Sequence, residues 1–171
     1  AYSGGAMTTL SVHVEPDNES TVGWDWYQKL ADNDVKMEQS NGTLLTKVAS
    51  GEYKGAVIVD YLPRNSKNEG SPIDYVYPES GSVLIPTPLC LMDNMSDDDK
   101  AAAEAFVNYM FDIETQKLFV QQGYVPMISE AAEGTEVPTI DDIKVLPMDV
   151  NYMRENSGSM LEKFTSIFGA Q

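Results

Sequence analysis

The sequence predicts an α/β fold, with helices flanking a short mixed sheet. Three observations predict it. Stretches with apolar residues at helical spacing alternate with short apolar runs. One of those runs, Ala56-Val57-Ile58-Val59, is continuous and β-branched, the pattern of a strand buried on both faces. Cap and turn residues such as Ser40-Asn41-Gly42 and Pro78-Glu79-Ser80-Gly81 separate the stretches.

In chain order, Ser3 to about Val14 reads as a helix opened by Ser3-Gly4-Gly5. Pro16 to Ser20 is a loop, and Ser20 or Thr21 caps a second helix with Trp24, Tyr27, Leu30 and Ala31 on one face. Val35 to Glu38 alternates as a short strand. Thr43 to Ser50 forms a third helix that Gly51 stops. Two strands follow, Ala56–Val59 and Ile73–Tyr77, and then an extended apolar segment, Val83–Met92, whose Pro86 and Pro88 keep it out of a central ladder. A long helix starts in the acidic turn Ser96-Asp97-Asp98-Asp99, which suits the helix dipole, and runs to Gln122, where Gly123 stops it. Ser129–Pro138 is a polar loop. Asp149 caps a last helix with Met153, Ser157, Met160, Leu161, Phe164 and Phe168 along one face.

Composition narrows the function. The 171 residues carry 27 acidic against 11 basic side chains, a net charge of −16. That balance argues against nucleic acid or anionic lipid as a partner, and any anion site must be local. No apolar run approaches the roughly 18 residues of a membrane span. A single cysteine, Cys90, excludes an intrachain disulfide, and its apolar surroundings read as a buried structural thiol. With one histidine, His13, read as a packing or surface residue, there is no zinc constellation. The acidic runs lack the spacing of a calcium loop. No nucleophile elbow or phosphate-binding nucleotide loop is present, so no catalytic residue, metal site or cofactor is expected.

Small polar residues at helix starts and strand ends remain. At Ser3-Gly4-Gly5 the absent side chains of the glycines let a ligand approach the backbone, and the free N–H groups of a helix start form an anion seat. Asn41 and the pair Asp60-Tyr61 stand at comparable positions, because ligands gather at the carboxyl ends of strands in open α/β sheets. For Asp60 a second reading stays open, as a cap on the Pro63-Arg64-Asn65 turn or a partner for Arg64.

The run Trp26-Tyr27-Gln28-Lys29-Leu30-Ala31, then Ser40-Asn41-Gly42, Val48-Ala49-Ser50-Gly51-Glu52 and Val57-Ile58-Val59-Asp60-Tyr61 resembles the solute-binding proteins of ABC importers. The branch it resembles holds ferric-iron, thiamine, polyamine and phosphonate or phosphate-ester binders. Tyr77-Pro78-Glu79-Ser80-Gly81 with Ile85-Pro86-Thr87-Pro88 is similar to the family's "PEEGT…IPSP" crossover. Ala103-Glu104-Ala105-Phe106-Val107 through Gln116 is similar to its "AAKAFVDFLLSPEGQ" helix, and Gly123-Tyr124-Val125-Pro126-Met127 to its "GYLPVR". The agreement covers nearly the whole chain, in order.

The resemblance implies two α/β lobes of the type II periplasmic-binding-protein fold, closing on a ligand about a hinge. It implies that this chain is the C-terminal half, from truncation or proteolysis. Residues 1–78 would be most of lobe two, 79–128 the hinge crossover and long helix, and 129–171 the C-terminal segment and helix. Ser3, Gly4, Gly5, Asn41, Asp60 and Tyr61 would contact a small anionic or zwitterionic solute, phosphonate-like or phosphate-ester-like, for delivery to a membrane permease. Family ferric binders end the equivalent strand in two tyrosines. Leu62 stands at the second position here, so ferric iron is the alternative ligand rather than the first. Asp60 replaces a neutral Asn of those proteins, which favours a ligand with an amine. The location implied is extracytoplasmic, in the periplasm or on a cell-surface lipoprotein, and exposed edges would favour a homodimer of the truncated form. Function classes of other kinds are an LysR-type effector-sensing domain and an enzyme acting on phosphate esters.

Overall fold

In the computed structural model of the chain, residues 4–19 and 21–169 are described. They form two compact units. One comprises Ala1–Met37, Pro78–Pro86 and Lys144–Gln171, the other Glu38–Tyr77 and Thr87–Ile143.

The first unit is built on helices α1 (Gly4–Val14), α2 (Gly23–Asp32) and α7 (Val150–Phe168), which pack pairwise on one another. Leu10 and Val14, four residues apart, share a face of α1 and meet Tyr27 of α2 and Met160 and Phe164 of α7 in one buried cluster. Each such side chain contributes about 1.5–3 kcal/mol on leaving water. The α7 stripe expected from spacing supplies Met160 and Phe164, both buried. Asp149 caps this helix as expected, accepting the backbone N–H groups of Asn151 (2.8 Å) and Tyr152 (3.1 Å). A buried polar knot fixes where α7 starts. The Glu15 carboxylate, 3 % exposed, accepts the Asp149 N–H (2.9 Å) and the Asn18 side-chain amide (2.8 Å). Asn18 also donates to the carbonyls of Val12 and Pro147.

The second unit holds α3 (Asn41–Ala49), α4 (Tyr61–Asn68), α5 (Asp97–Met110), α6 (Ile113–Gln121) and two 3₁₀ turns, Ser129–Ala132 and Ile140–Asp142. Ser40 caps α3 through the Thr43 N–H (3.1 Å), and Ser96 caps α5 through that of Asp99 (3.2 Å). The single long helix expected after Ser96 is two helices. Asp112 turns out of the helical conformation and caps α6 through the Glu114 N–H (2.9 Å). Val120 of α6 packs on Ala131 and Ala132 of the first 3₁₀ turn, with Ile113 and Val137 at the edge.

The α/β expectation is not met. Among the described residues there is no strand, and the only β contact is an isolated parallel bridge between Ser82 and Val145 in the first unit. The segments expected as strands, 35–38, 56–59 and 73–77, are unpaired, and Val57 and Val76 are 70 % and 87 % exposed. The physical reason is that a helix closes its hydrogen bonds within its own segment, whereas a strand exists only where a second strand pairs with it. β-Branched composition supplies the conformational preference and not the partner. Cys90 is likewise exposed rather than buried, because among the described residues nothing packs over its apolar segment.

Candidate functional site

The candidate residues of the second unit gather around α4. Tyr61 is its first residue. Pro63 sits in the first turn, where its missing N–H would have no intrahelical acceptor anyway. Asp60 precedes the helix, but its side chain makes no cap. It pairs with Arg64 one turn on, through Oδ2. The same oxygen accepts the Tyr77 hydroxyl (2.7 Å), which leaves Oδ1 outside the pair. Arg64 is the largest of the fully buried side chains among the described residues, 1 % exposed. Its Nη2 donates to Asp60 and to the Tyr77 oxygen (2.8 Å), its Nη1 to the Gly123 carbonyl, and its Nε to the Tyr75 oxygen (3.3 Å). Burial alone would lower the Arg64 pKa, but the hydrogen bond with Tyr75 and the Asp60 charge outweigh it, and the guanidinium stays protonated. Burial, and then the Asp60 carboxylate, push the Tyr77 phenol up, so it remains a donor. The network is charge-balanced within itself.

Tyr61 stacks on Tyr124, with ring centroids 4.7 Å apart and planes tilted by 36°. Interaction with the Tyr124 phenol, and then burial, raise the Tyr61 pKa. Three contacts hold the segment carrying Tyr124 against α4. Arg64 takes the Gly123 carbonyl, Asn65 Nδ2 donates to the Gln122 carbonyl (3.1 Å), and Gly123, at φ +88, lies against the Asn65 side chain. Behind α4, Asn65, Asn68, Lys117, Gln121, Glu133 and Glu136 border a groove of about 840 Å³ that the sequence did not announce.

Asn41 is exposed at the first position of α3, and α3 packs on α4. At the other end of α3, Lys47 joins Glu38 (2.7 Å), Glu52 (3.0 Å) and the Tyr53 oxygen (3.2 Å), tying the segments before and after the helix together.

Ser3 lies outside the described residues. Gly4 and Gly5 open α1 in the first unit, with open space where a Gly4 side chain would stand and Ile85 3.4 Å from where a Gly5 Cβ would be. Both border a groove shared with Thr8, Ile85, Met153 and Arg154. Arg154 is well exposed, and its one ion-pair neighbour among the described residues is Glu155, 3.8 Å away. Sequence reasoning missed Arg154, because only the docking of α7 on α1 brings it beside residues so far back in the chain. It missed Arg64 as a centre, and Tyr124 as a neighbour of Tyr61, for the same reason. Asp60, Tyr61, Arg64 and Tyr124 stand together, and Gly4 and Gly5 belong to the other compact unit. Among the described residues no group of three or more His, Cys, Asp or Glu side chains could hold a metal ion. No described helix is long and apolar enough to cross a membrane.

A model of the family described as bacterial extracellular solute-binding protein matches residues 3–145. The chain belongs to this family. The match takes in α1 through α6, and with them Gly4, Gly5, Asn41, Asp60, Tyr61 and Tyr124 of this solute-binding protein, while Arg154 lies beyond it. The chain is also similar to a curated sulfate-binding protein of Synechocystis sp., 27 % identical over 149 residues. That alignment covers 85 % of this chain and 36 % of the relative, so the chain spans little more than a third of the relative's length. No solved structure matches the solute-binding chain.

Proposed function

We propose that this solute-binding protein serves an ABC importer, capturing a small anionic or zwitterionic solute outside the cytoplasm and delivering it to a membrane permease, without catalysis. The family match over residues 3–145 carries the reading. The similar protein named as sulfate-binding supports an oxyanion as the ligand class. So do Gly4 and Gly5, which leave the backbone at the start of α1 open to a ligand. In the other unit we assign solute contact to Asn41, Asp60 and Tyr61. Asp60 keeps Oδ1 outside its pair with Arg64, and this oxygen would take an amine in a phosphonate-like zwitterion.

A thermal-shift panel on the protein tests the reading. It comprises inorganic sulfate, inorganic phosphate, 2-aminoethylphosphonate, thiamine, spermidine and a ferric salt. A ligand at a hundred times its Kd stabilises the native state by about 2.7 kcal/mol, enough to raise the midpoint visibly. A rise with the oxyanions or the aminophosphonate is expected. A rise only with spermidine, thiamine or ferric ion would refute the anion assignment.

A further inference from the structure

We infer that Tyr124 is a second ligand-contact residue beside Tyr61, and that the two phenols together recognise an oxyanion of the solute through neutral O–H donation. The inference rests on the anionic-solute reading and names a residue that reading does not contain.

The pair is held in place more firmly than its burial requires. Tyr124 is 45 % exposed, so packing alone does not fix its ring. The backbone on its N-terminal side is nonetheless tied to α4 by the Arg64–Gly123 and Asn65–Gln122 hydrogen bonds, and its own N–H bonds to the Phe119 carbonyl (3.1 Å). A side chain at Gly123 would meet the Asn65 amide oxygen at 2.7 Å, so the segment comes as near to α4 as a backbone can. These ties set the Tyr124 ring on the Tyr61 ring at 4.7 Å. An exposed surface that is ordered before any ligand arrives loses little freedom on binding.

The charge arrangement selects the kind of donor. Arg64, three residues on from Tyr61 in α4, is buried and spends its hydrogen bonds on Asp60, Tyr75, Tyr77 and Gly123. It holds the scaffold and is not free to meet a solute. The hydroxyls of Tyr61 and Tyr124 are what the scaffold presents. Interaction with Tyr124 keeps the Tyr61 phenol above its ordinary range, so Tyr61 carries its proton at neutral pH. Two adjacent phenols cannot both donate to each other, and one O–H is left for an outside acceptor. An oxyanion fits that vacancy, because a hydrogen bond to a charged acceptor is about twice as strong as one between neutral groups.

The test is calorimetric titration of the chain and of its Tyr124→Phe variant with inorganic sulfate, inorganic phosphate and 2-aminoethylphosphonate. Tyr124→Phe removes one half-exposed hydroxyl and keeps the ring, so its unfolding midpoint should match that of the parent. The parent should bind at least one of the three, and the variant should bind it about tenfold or more weakly. Tyr124→Leu, which also loses the stacked ring, should bind no better than Tyr124→Phe. If the variant binds as tightly as the parent, the inference falls and the anionic-solute reading stands. If the parent binds none of the three, both fall. A visible phenolate-to-iron absorption band that appears on adding ferric nitrilotriacetate to the parent and is absent from Tyr124→Phe would also overturn the inference, since the phenols would then act as deprotonated metal ligands.

Discussion

Replacing Asp60 by Asn should destabilise the second unit by about 3 kcal/mol. Arg64 is 1 % exposed and Asp60 is its one ion-pair partner among the described residues, whereas the Asp60 side chain is 34 % exposed. Two unit charges about 4 Å apart at an effective dielectric near 20 attract by roughly 4 kcal/mol. Water reaching the Asp60 side screens about half of that, leaving about 2 kcal/mol. An Asn oxygen would still accept one of the two bonds that Arg64 and Tyr77 now make to Oδ2, and losing the other adds about 1 kcal/mol. The sum falls at the lower edge of the roughly 3–5 kcal/mol seen when one member of a buried pair is removed. Urea unfolding at pH 7, followed by tyrosine fluorescence, measures it. The double variant Asp60→Asn/Arg64→Met removes the stranded charge and should be more stable than the sum of the two single losses by about 1 kcal/mol or more. Strict additivity, or a single-variant loss below about 0.5 kcal/mol, would refute the view that Asp60 neutralises a buried arginine.

Other outcomes follow from the same geometry. His13 is largely buried, bonded to the Tyr27 hydroxyl (3.0 Å) and set edge-on to Trp26, and burial lowers its pKa from 6.5 to about 4. The unfolded chain therefore takes up the proton first as pH falls. The contribution is complete above pH 6.5 and declines between 6.5 and about 4, reaching a loss of about 3 kcal/mol at roughly 1.4 kcal/mol per unit. Urea midpoints across that window should show the decline, and His13→Gln should flatten it. Gly123→Ala forces a side chain to φ +88 and into the Asn65 amide, so it should cost about 1–3 kcal/mol and release hydrogen-exchange protection around Gln122 to Tyr124. Asp149→Ala removes an acceptor shared by two N–H groups at the start of α7 and should cost about 1–2 kcal/mol in urea unfolding.

What the sequence by itself determined is local. Asp149 caps the helix it was expected to cap, and Ser40 and Ser96 stand at the helix starts expected near them, because a cap needs only a side-chain oxygen and N–H groups two or three residues away. The face of α7 was legible because 3.6-residue spacing places Met160 with Phe164 whatever they later touch.

Tertiary structure decided everything that needs a partner. Val57 and Val76 have the composition of strand residues and find no strand beside them, so the sheet expected from composition does not form among the described residues. Asp60 admitted a ligand, a cap or a pairing with Arg64, and only the burial of Arg64 against Tyr75, Tyr77 and Gly123 made it the counter-charge of a buried cation. Tyr124 carried only a motif resemblance until the Gln122–Tyr124 segment, docked on α4, set its ring on Tyr61. Hydrogen bonds within a turn of chain are written in the order of residues. Charge pairs and ring pairs between distant segments are not, because their energy depends on which surfaces the folded chain removes from water.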